Sequence, residues 1–440
     1  MKLTFMGAGS TVFAKNVIGD CMISPYLKGM DIALYDIDAE RLEESQLMLK
    51  AINRNYRSGF KIKTYLGVKN RRKALEGADV VVNAIQVGGY DPCTITDFEV
   101  PKKYGLRQTI ADTLGIGGIF RALRTAPVIE DFLRDMEKVC PNCLFINYTN
   151  PMAILTGFIQ MVSPVKSLGL CHSVQHCAEF LMADVGMGDQ YNDKIQWQIA
   201  GINHQAWLLS ISRDGEDLYP EIRRRALEME KDNFGICGDK VRLKMMNTFG
   251  YYITESSEHT SEYVPYFIKS TQPELIEKYA IPLDEYPRRC VNQIAAWKQL
   301  REDLTTKNKL EHHNSGEYAA HILEAMINNK PYKLGGNVLN KGYITNLPRA
   351  ACVEVPCLVD ASGVQPIYVG DLPEQCAAIN RTNINPQILT MQACISHKKE
   401  DVYRAALLDP HTSAELNIDQ IISLCDDLFE AHKGWLPEFK

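Results

Sequence analysis

Short apolar runs alternate with amphipathic stretches through the N-terminal part of the chain. Runs rich in β-branched and aromatic residues predict strands, whereas apolar residues at three- and four-residue spacing predict helices. The predicted strands cover residues 3–6, 32–35, 61–66, 79–85, 144–147 and the run that ends at 171. The predicted helices cover residues 12–22, 41–53, 71–75 and 120–139. This alternation predicts an α/β fold, a Rossmann-like doubly wound parallel sheet.

The pattern changes beyond about residue 193. Two extended runs flank the turn at residues 201–204, residues 221–249 are helical in pattern, and residues 337–369 are rich in β-branched residues and turns. Because no linker-like tract separates the two parts, we expect two intimately packed domains. The prediction is a Rossmann-like domain over residues 1–193 and a mixed α+β C-terminal lobe over residues 194–440.

The bulk composition narrows the classes of function. With 45% apolar and 23% charged residues the chain is typical of a globular protein, and its net charge of -6 offers no basic surface for nucleic acid or anionic membrane. No stretch matches a signal peptide or a membrane span, and thirteen scattered cysteines fit reduced thiols. We therefore expect a cytoplasmic protein that acts on a small molecule.

A glycine pair follows the first predicted strand and precedes a helix, and Asp36 ends the second strand. Glycines let the backbone approach a pyrophosphate, the helix offers N-terminal amides, and the acid can bind the ribose hydroxyls. Val12 stands where the usual fingerprint has a third glycine. We predict a dinucleotide site that favours NAD, formed by Gly7, Gly9, Ser10, Thr11, Asp36, Asn83 and Gln86.

Other polar residues recur at the ends of later strands, where parallel strands open into one crevice. They are Asn147 with Asn150, Cys171 with His172, and Asn203 with His204. Thiolate and imidazole are metal ligands, but adjacent residues on an extended chain point to opposite faces, so Cys171 and His172 are not expected to share one ion. From these patterns alone, a metal site and ordinary packed side chains are equally open.

Several motifs together resemble glycoside hydrolase family 4, whose members are NAD- and manganese-dependent glycosidases. They are the glycine turn at 7–10 and residues 147–151, 171–174 and 202–204, so the resemblance spans essentially the whole chain. Residues 111–121 and 286–290 extend it to the α-galactosidase subgroup of that family. Members acting on 6-phosphoglycosides carry an acid or an amide where His172 stands.

The resemblance implies a redox route to hydrolysis. NAD⁺ removes hydride from C3 of the sugar, a base then removes the acidified C2 proton, and Mn²⁺ stabilises the enediolate. The glycosidic oxygen leaves by elimination with help from an acid. Water adds to the unsaturated intermediate and the hydride returns to C3. This family is an exception to two-carboxylate glycoside hydrolysis.

The resemblance also implies roles for individual residues. Cys171 and His204 match the metal ligands, and His172 matches the acid that protonates the leaving group. Asn150 matches a substrate-binding amide, and Asp112 matches a carboxylate near the metal. A thiolate with an imidazole ordinarily suits zinc better than manganese, so we expect the hard sugar hydroxyls to favour Mn²⁺.

The base is a tyrosine in several members of the family. Tyr251 and Tyr252 fall in the corresponding region, in a polar and aromatic stretch over residues 249–259. We expect Tyr252 to be the base, with Tyr251 as the alternative. Arg288 and Arg289 are further candidates for contact with the sugar.

Three alternatives remain open at this point. Another glycosidase of the same family, such as an α-galacturonidase, needs a cation for the uronate carboxylate. An NAD-dependent 2-hydroxy-acid dehydrogenase fits the N-terminal part, which resembles the lactate and malate dehydrogenase architecture, but needs no Cys171 and His204 metal pair. A non-catalytic protein that senses redox state would bind NAD without turnover. For the α-galactosidase hypothesis, the family implies a homodimer or homotetramer.

Overall fold

The computed structural model describes residues 1–306 and 310–440, without the side chains of Thr11 and residues 298–306. Strands and helices alternate as far as β6 and mix beyond it. The strands are β1 (Lys2–Met6), β2 (Asp31–Asp36), β3 (Lys61–Leu66), β4 (Val80–Asn83), β5 (Leu144–Asn147), β6 (Lys166–Gly169), β7 (Ile195–Ile202), β8 (Gln205–Arg213), β9 (Glu216–Asp217), β10 (Tyr252–Ile253), β11 (Tyr332–Leu339), β12 (Cys352–Asp360) and β13 (Gly363–Pro366).

The helices cover both faces of the sheet. They are α1 (Thr11–Ile23), α2 (Ala39–Tyr56), α3 (Arg71–Leu75), α4 (Ile95–Lys102), α5 (Gly115–Val139), α6 (Met152–Val162), α7 (Ser173–Asp184), α8 (Tyr219–Glu230), α9 (Lys240–Phe249), α10 (Ser257–Tyr263), α11 (Glu274–Lys278), α12 (Glu285–Thr306), α13 (Tyr318–Asn328), α14 (Glu374–Ser396), α15 (Lys399–Leu408), α16 (Pro410–Glu415) and α17 (Ile418–Ala431). No helix among the described residues has the length and apolar character needed to cross a bilayer.

The first six strands form a parallel sheet in the order β3-β2-β1-β4-β5-β6. This is the doubly wound arrangement, which confirms the predicted fold class. The strand ends are in register, since Met6 pairs with Asn83, Asn83 with Asn147, and Asn147 with Gly169. The residues that follow these strands therefore meet at one edge of the sheet.

The C-terminal strands continue the same sheet. Strand β11 runs antiparallel to β6, where Asn337 pairs with Gly169, and β12 joins β7, where Glu354 pairs with Gly201. A Cβ on Gly201 would lie 2.7 Å from the Ala206 Cα, so glycine permits the tight β7–β8 connection. The sheet runs unbroken from β3 to β10, and the boundary at residue 193 stays a prediction.

Side chains alternate between the two faces of the sheet, as the strand period requires. Val80 and Val82 pack into one core cluster with α1, α2 and α13, whereas Val81 packs into a second cluster with α5, α6 and α14. The single helical stretch predicted over residues 221–249 is wrong: it is divided into α8 and α9. Asn233, Phe234 and Gly235, which lie between the two helices, each have a positive φ, and a right-handed helix cannot continue through such residues.

Candidate active site

A cavity of about 290 Å³ opens at the carboxyl edge of the parallel strands. One end is formed by residues of the glycine turn and the β4 end, and the other by residues that follow β5, β6 and β7. The lining residues are Ser10, Phe13, Ala84, Ile85, Gln86, Asp112, Arg121, Tyr148, Thr149, Asn150, Met152, Leu170, Cys171, His172, His204 and Tyr286. The predicted dinucleotide turn and the predicted metal ligands therefore share one cavity.

The glycine turn is shaped by close backbone contacts. Gly7 has φ +87, and a Cβ there would lie 2.7 Å from the Ala84 carbonyl oxygen. The Gly9 N–H donates to Asp36 Oδ2 at 2.6 Å, and Asp36 Oδ1 accepts the amides of Ile37 and Asp38. Helix α1 begins at Thr11, whose side chain lies outside the described part of the chain. These residues fit a dinucleotide, because the glycines have no side chains to block the approach of the pyrophosphate to the backbone and the amides at the N-terminus of α1 can bind its oxygens.

The two predicted cofactor residues near β4 differ in placement. Gln86 lines the cavity, with its Nε2 3.3 Å from Thr94 Oγ1. Asn83 is fully buried and its Nδ2 donates to Asn147 Oδ1 and Thr149 Oγ1. Asn83 is not among the residues that line the cavity; its amide nitrogen joins neighbouring strand ends, and its role towards the cofactor stays a prediction.

Three potential metal ligands converge where β6, β7 and β10 end. Cys171 Sγ lies 3.2 Å from His204 Nε2, and Glu255 Oε2 lies 3.7 Å from Cys171 Sγ and 3.6 Å from His204 Nε2. These ligand atoms all lie within 4.8 Å of one another. Sulfur, imidazole nitrogen and carboxylate oxygen are all donors to divalent ions, so the residues present fit a metal site.

The ionisation of this cluster depends on its surroundings. Burial, reinforced by the charge of Glu255, raises the pKa of the Cys171 thiol well above its ordinary value. Burial opposes ionisation of Glu255 as well, but the nearby His259 and His204 lower its pKa to about 2. A cation would favour the Cys171 thiolate, because metal binding requires the deprotonated thiol.

His172 has a carboxylate partner from another part of the fold. Its Nε2 lies 2.7 Å from Glu317 Oε1, and the Glu317 side chain is only 5% exposed. The rings of Phe13 and Tyr148 flank the imidazole, with centroids 6.4 and 6.2 Å away. Burial lowers the pKa of His172, but the hydrogen bond and charge of Glu317 outweigh it and raise the pKa above its usual value. The Glu317 carboxylate thus favours the protonated form of the His172 imidazole, which lines the cavity.

Asp112 reaches the cavity on the loop that precedes α5. Its Oδ2 accepts the Asn150 amide at 3.1 Å, while its buried Oδ1 has no hydrogen-bond partner in the described chain. Ala111 has φ +50, a conformation that L-residues rarely adopt. A Cβ at Gly117 would lie 2.6 Å from the Ala111 carbonyl oxygen, so glycine lets α5 pack against this loop.

Glu262 on α10 binds the backbone of the loop that carries Asp112. Its Oε1 accepts the backbone N–H groups of Thr109 at 2.5 Å and Ile110 at 3.2 Å, and its Oε2 accepts that of Ala111 at 3.1 Å. Burial raises the pKa of Glu262 to about 7, although the three amide hydrogen bonds favour the charged form. Glu262 thereby fixes the backbone next to Asp112.

Arg121 is a cation in the cavity wall. Its Nε donates to the Asn150 carbonyl at 3.3 Å and its Nη1 donates to the Tyr286 hydroxyl at 3.3 Å. The guanidinium carbon lies 5.5 Å from the centre of the Tyr286 ring. Burial opposes the charge, but the charges of Tyr286 and Asp112 and the hydrogen bond to Tyr286 keep the pKa of Arg121 raised.

Neither tyrosine predicted as the base lines this cavity. Tyr252 is fully buried, its hydroxyl donates to Asp239, and the Arg242 guanidinium carbon lies 4.6 Å from its ring centre. Tyr251 lines a separate cavity of about 270 Å³ beside Tyr219. The structure corrects this expectation, because strand β10 directs the Tyr252 side chain into the core instead of the cavity.

The two predicted arginines are also placed elsewhere. Arg288 pairs with Glu285 at 2.7 Å, and Arg289 pairs with Glu285 and Glu258, each at 3.0 Å. Neither lines the cavity, and among the described residues Arg121 is the arginine that does. The cause is the helical geometry of α12, on which residues three and four apart pair with one another.

Sequence reasoning missed Glu255, Glu262 and Glu317. The polar stretch over residues 249–259 drew attention to the region of Glu255, but to its tyrosines and not to its carboxylate. Glu317 precedes α13 and Glu262 lies on a short helix, so neither follows a strand end. No spacing in the sequence distinguishes them from surface acids.

Comparison with known proteins gives consistent matches along the chain. The model of the family 4 glycosyl hydrolases matches residues 2–187, and that of the family 4 glycosyl hydrolase C-terminal domain matches residues 199–412. An alpha-galactosidase from Bacillus subtilis is 57% identical over 439 residues, which covers 100% of both chains. An alpha-galactosidase from Rhizobium meliloti is 32% identical over 456 residues, 100% of this chain and 89% of that protein.

A solved structure shares the fold. The 6-phospho-beta glucosidase from Thermotoga maritima, with manganese, NAD⁺ and glucose-6-phosphate, has a TM-score of 0.79 at 20% identity, with 100% of both chains covered. At that identity the likeness shows a common architecture, and it covers the N-terminal sheet and its C-terminal continuation alike.

Proposed function

The chain belongs to family 4 of the glycosyl hydrolases, and from this premise we propose that it hydrolyses α-galactosides with NAD⁺ and Mn²⁺. The observation that carries the proposal is the single cavity that Ser10 of the glycine turn lines together with Cys171, His172 and His204. A dinucleotide site beside potential metal ligands fits a glycosidase that oxidises its sugar transiently. The full-length relatives named alpha-galactosidase support the choice of substrate.

The chain supplies sites for both cofactors. When bound, NAD⁺ accepts a hydride from a sugar carbon, and Mn²⁺ stabilises negative charge that develops on neighbouring oxygens. Gly7 and Gly9 leave room for the pyrophosphate, and Asp36 accepts the ribose hydroxyls. Cys171 and His204, which line the same cavity, would hold the metal.

Asp112 is our candidate for the group that accepts the sugar proton. Its Oδ1 has no hydrogen-bond partner among the described residues, and Asn150 orients the carboxylate through Oδ2. A base needs a free lone pair within reach of the substrate, and the two tyrosines expected from the sequence do not line the cavity. Asp112 does line it.

His172 protonates the departing glycosidic oxygen in this proposal. Because Glu317 occupies Nε2, the imidazole Nδ1 is the nitrogen that remains for proton transfer, and His172 lines the cavity. Glu317 favours the protonated ring, which is the form that an acid needs. Asn150 and Arg121 are placed to bind sugar hydroxyls, as both line the cavity.

The alternatives of the sequence analysis are not favoured. A uronate would need a cation free to bind its carboxylate, whereas Arg121 already donates to the Asn150 carbonyl and the Tyr286 hydroxyl. A 2-hydroxy-acid dehydrogenase has no use for the cluster at Cys171 and His204. The homodimer or homotetramer stays a proposal, and sedimentation velocity would measure it.

The test is release of p-nitrophenol from p-nitrophenyl α-galactoside after dialysis against a chelator. NAD⁺ and Mn²⁺ are restored singly and together, with reductant present, and the α-galacturonide is assayed in parallel. We expect turnover of the galactoside only with both cofactors. No turnover with both present would overturn the substrate assignment, and full turnover without NAD⁺ would overturn the redox route.

A further inference from the structure

The distances around Glu255 match those between ligands of one ion. The three separations among Cys171 Sγ, His204 Nε2 and Glu255 Oε2 are 3.2, 3.7 and 3.6 Å. Two donors that each lie about 2.0 to 2.3 Å from one ion are separated by about 3 to 4 Å in tetrahedral geometry. All three pairs fall in that range.

The backbone of Glu255 has a conformation that residues other than glycine rarely adopt. Its φ is +67, in the left-handed region. The preceding residue anchors it to β8, since the Thr254 amide donates to the Ala206 carbonyl at 2.8 Å and Thr254 Oγ1 accepts the Ala206 amide at 3.2 Å. Backbone strain of this kind clusters at functional sites.

The two oxygens of the Glu255 carboxylate face different neighbours. Oε2 faces Cys171 and His204, while Oε1 lies 3.3 Å from the Ser256 amide and 3.7 Å from His259 Nδ1. His259 is in turn 2.9 Å from Ser256 Oγ. A carboxylate that binds a metal through one oxygen is commonly oriented through the other, and this arrangement has that form.

The type of donor atom that Glu255 adds affects which metal the site prefers. A thiolate and an imidazole form a soft pair that suits zinc, whereas carboxylate oxygen is a donor that suits manganese. Resting on the proposed function, we propose that Glu255 is a third protein ligand of the cation and shifts the preference of the site from Zn²⁺ towards Mn²⁺.

The test measures metal binding directly, without NAD⁺ or sugar. Mn²⁺ affinity is determined by electron paramagnetic resonance and Zn²⁺ affinity by calorimetry, for the wild type and for Glu255→Gln. We expect Mn²⁺ affinity to fall at least about tenfold. Removal of a residue that only orients a metal ligand already costs about that much, and removal of a ligand should cost more. Zn²⁺ affinity should fall by a smaller factor, because Cys171 and His204 remain.

Glu258→Gln is the matched control. Glu258 lies three residues further along the chain and pairs with Arg289 at 3.0 Å, outside the cluster. This variant should bind both ions as the wild type does. Melting temperature and circular dichroism verify that each variant is folded.

Two outcomes would overturn the assignment. One is a folded Glu255→Gln protein with wild-type Mn²⁺ affinity; a loss of its galactosidase activity would then show a role for Glu255 in the chemistry alone. The other needs no variant: a crystal structure of the wild type with Mn²⁺ in which Glu255 is not within about 2.3 Å of the ion. Neither outcome alters the proposed function, which the wild-type assay decides separately.

Discussion

His172 and Glu317 come from distant parts of the chain and meet with Nε2 and Oε1 2.7 Å apart. Glu317 stands just before α13, and its segment is tied to α1 because Asp20 accepts hydrogen bonds from Ser315 and the Glu317 amide and lies 2.7 Å from His312 Nε2. A Cβ at Gly19 would lie 2.6 Å from the His312 ring, so glycine permits this contact. The position of the imidazole therefore depends on the C-terminal half of the chain.

Glu317→Gln should slow substrates with poor leaving groups selectively. Loss of the carboxylate charge lowers the pKa of His172, so a smaller fraction of the enzyme carries the proton that the leaving group needs. An alkoxide leaving group needs that proton, whereas p-nitrophenolate does not. We expect kcat for methyl α-galactoside to fall about tenfold, a fraction of a full acid contribution, with a smaller change for the p-nitrophenyl glycoside. Both rates come from one enzyme preparation, so each controls for the other. Equal losses of kcat for the two substrates would show that the His172–Glu317 pair does not protonate the leaving group.

Asp36 should decide the choice between the two nicotinamide cofactors. Its carboxylate lies beside the Gly9 amide and would repel the 2′-phosphate of NADP. Asp36→Asn keeps an acceptor oxygen for Gly9 and removes the charge. Titration of protein fluorescence with NADH and NADPH should show weak NADPH binding to the wild type and a smaller difference for the variant. An unchanged ratio of the two affinities would contradict this role.

Gly7→Ala should destabilise the protein more than an alanine at a glycine with similar backbone but open surroundings. Gly77 has φ +66, and apart from its two neighbours in the chain no atom of the described residues lies within 4 Å of the place that a Cβ would take there, whereas a Cβ at Gly7 would meet the Ala84 carbonyl oxygen. We expect Gly77→Ala to lower the free energy of unfolding by about 1 kcal/mol, from the left-handed backbone alone. Gly7→Ala should lower it further and weaken NAD⁺ binding. Urea unfolding measures the first effect and calorimetry the second.

Glu262 should make stability depend on pH. Its pKa is raised to about 7 in the folded protein, above the ordinary value of 4.5, so the folded state binds the proton more tightly than the unfolded state. This contribution is fully present below about pH 4.5 and is lost as the pH rises through 7. Glu262→Gln removes it, so the stability of the variant relative to wild type should rise between pH 4.5 and 7. A difference that is constant with pH would show that Glu262 does not titrate in this way.

Tyr252→Phe tests the correction made for the base. The Tyr252 hydroxyl donates to buried Asp239 and lies outside the cavity. Removing it leaves a buried carboxylate oxygen with one partner fewer, which should destabilise the fold by about 1 to 3 kcal/mol. We expect kcat of the folded variant to stay within about threefold of wild type, well short of the loss that follows removal of a general base. A loss of about a hundredfold or more would restore the tyrosine to the chemistry.

Local pattern was sufficient for the N-terminal half of the fold. The strands predicted at residues 61–66 and 144–147 agree with β3 and β5. Strand β5 is a fully buried apolar run, as the interior of a parallel sheet requires, whereas β3 is a largely exposed edge strand whose β-branched and aromatic residues favour extended backbone. The aligned ends of parallel strands likewise brought Cys171 and Asn150 to the cavity, as predicted. These features depend on neighbours in sequence and on the geometry common to parallel sheets.

The sequence by itself determined the doubly wound sheet and the glycine turn with Asp36, and the family resemblance implied the pairing of Cys171 with His204. Only the tertiary structure decided which acids join them. Glu255 and Glu317 reach the site from a left-handed turn and from the start of a helix, positions without periodicity, and their partners are far away in sequence. The same holds for the burial of Tyr252, because the face that a two-residue strand presents is set by the strand it pairs with.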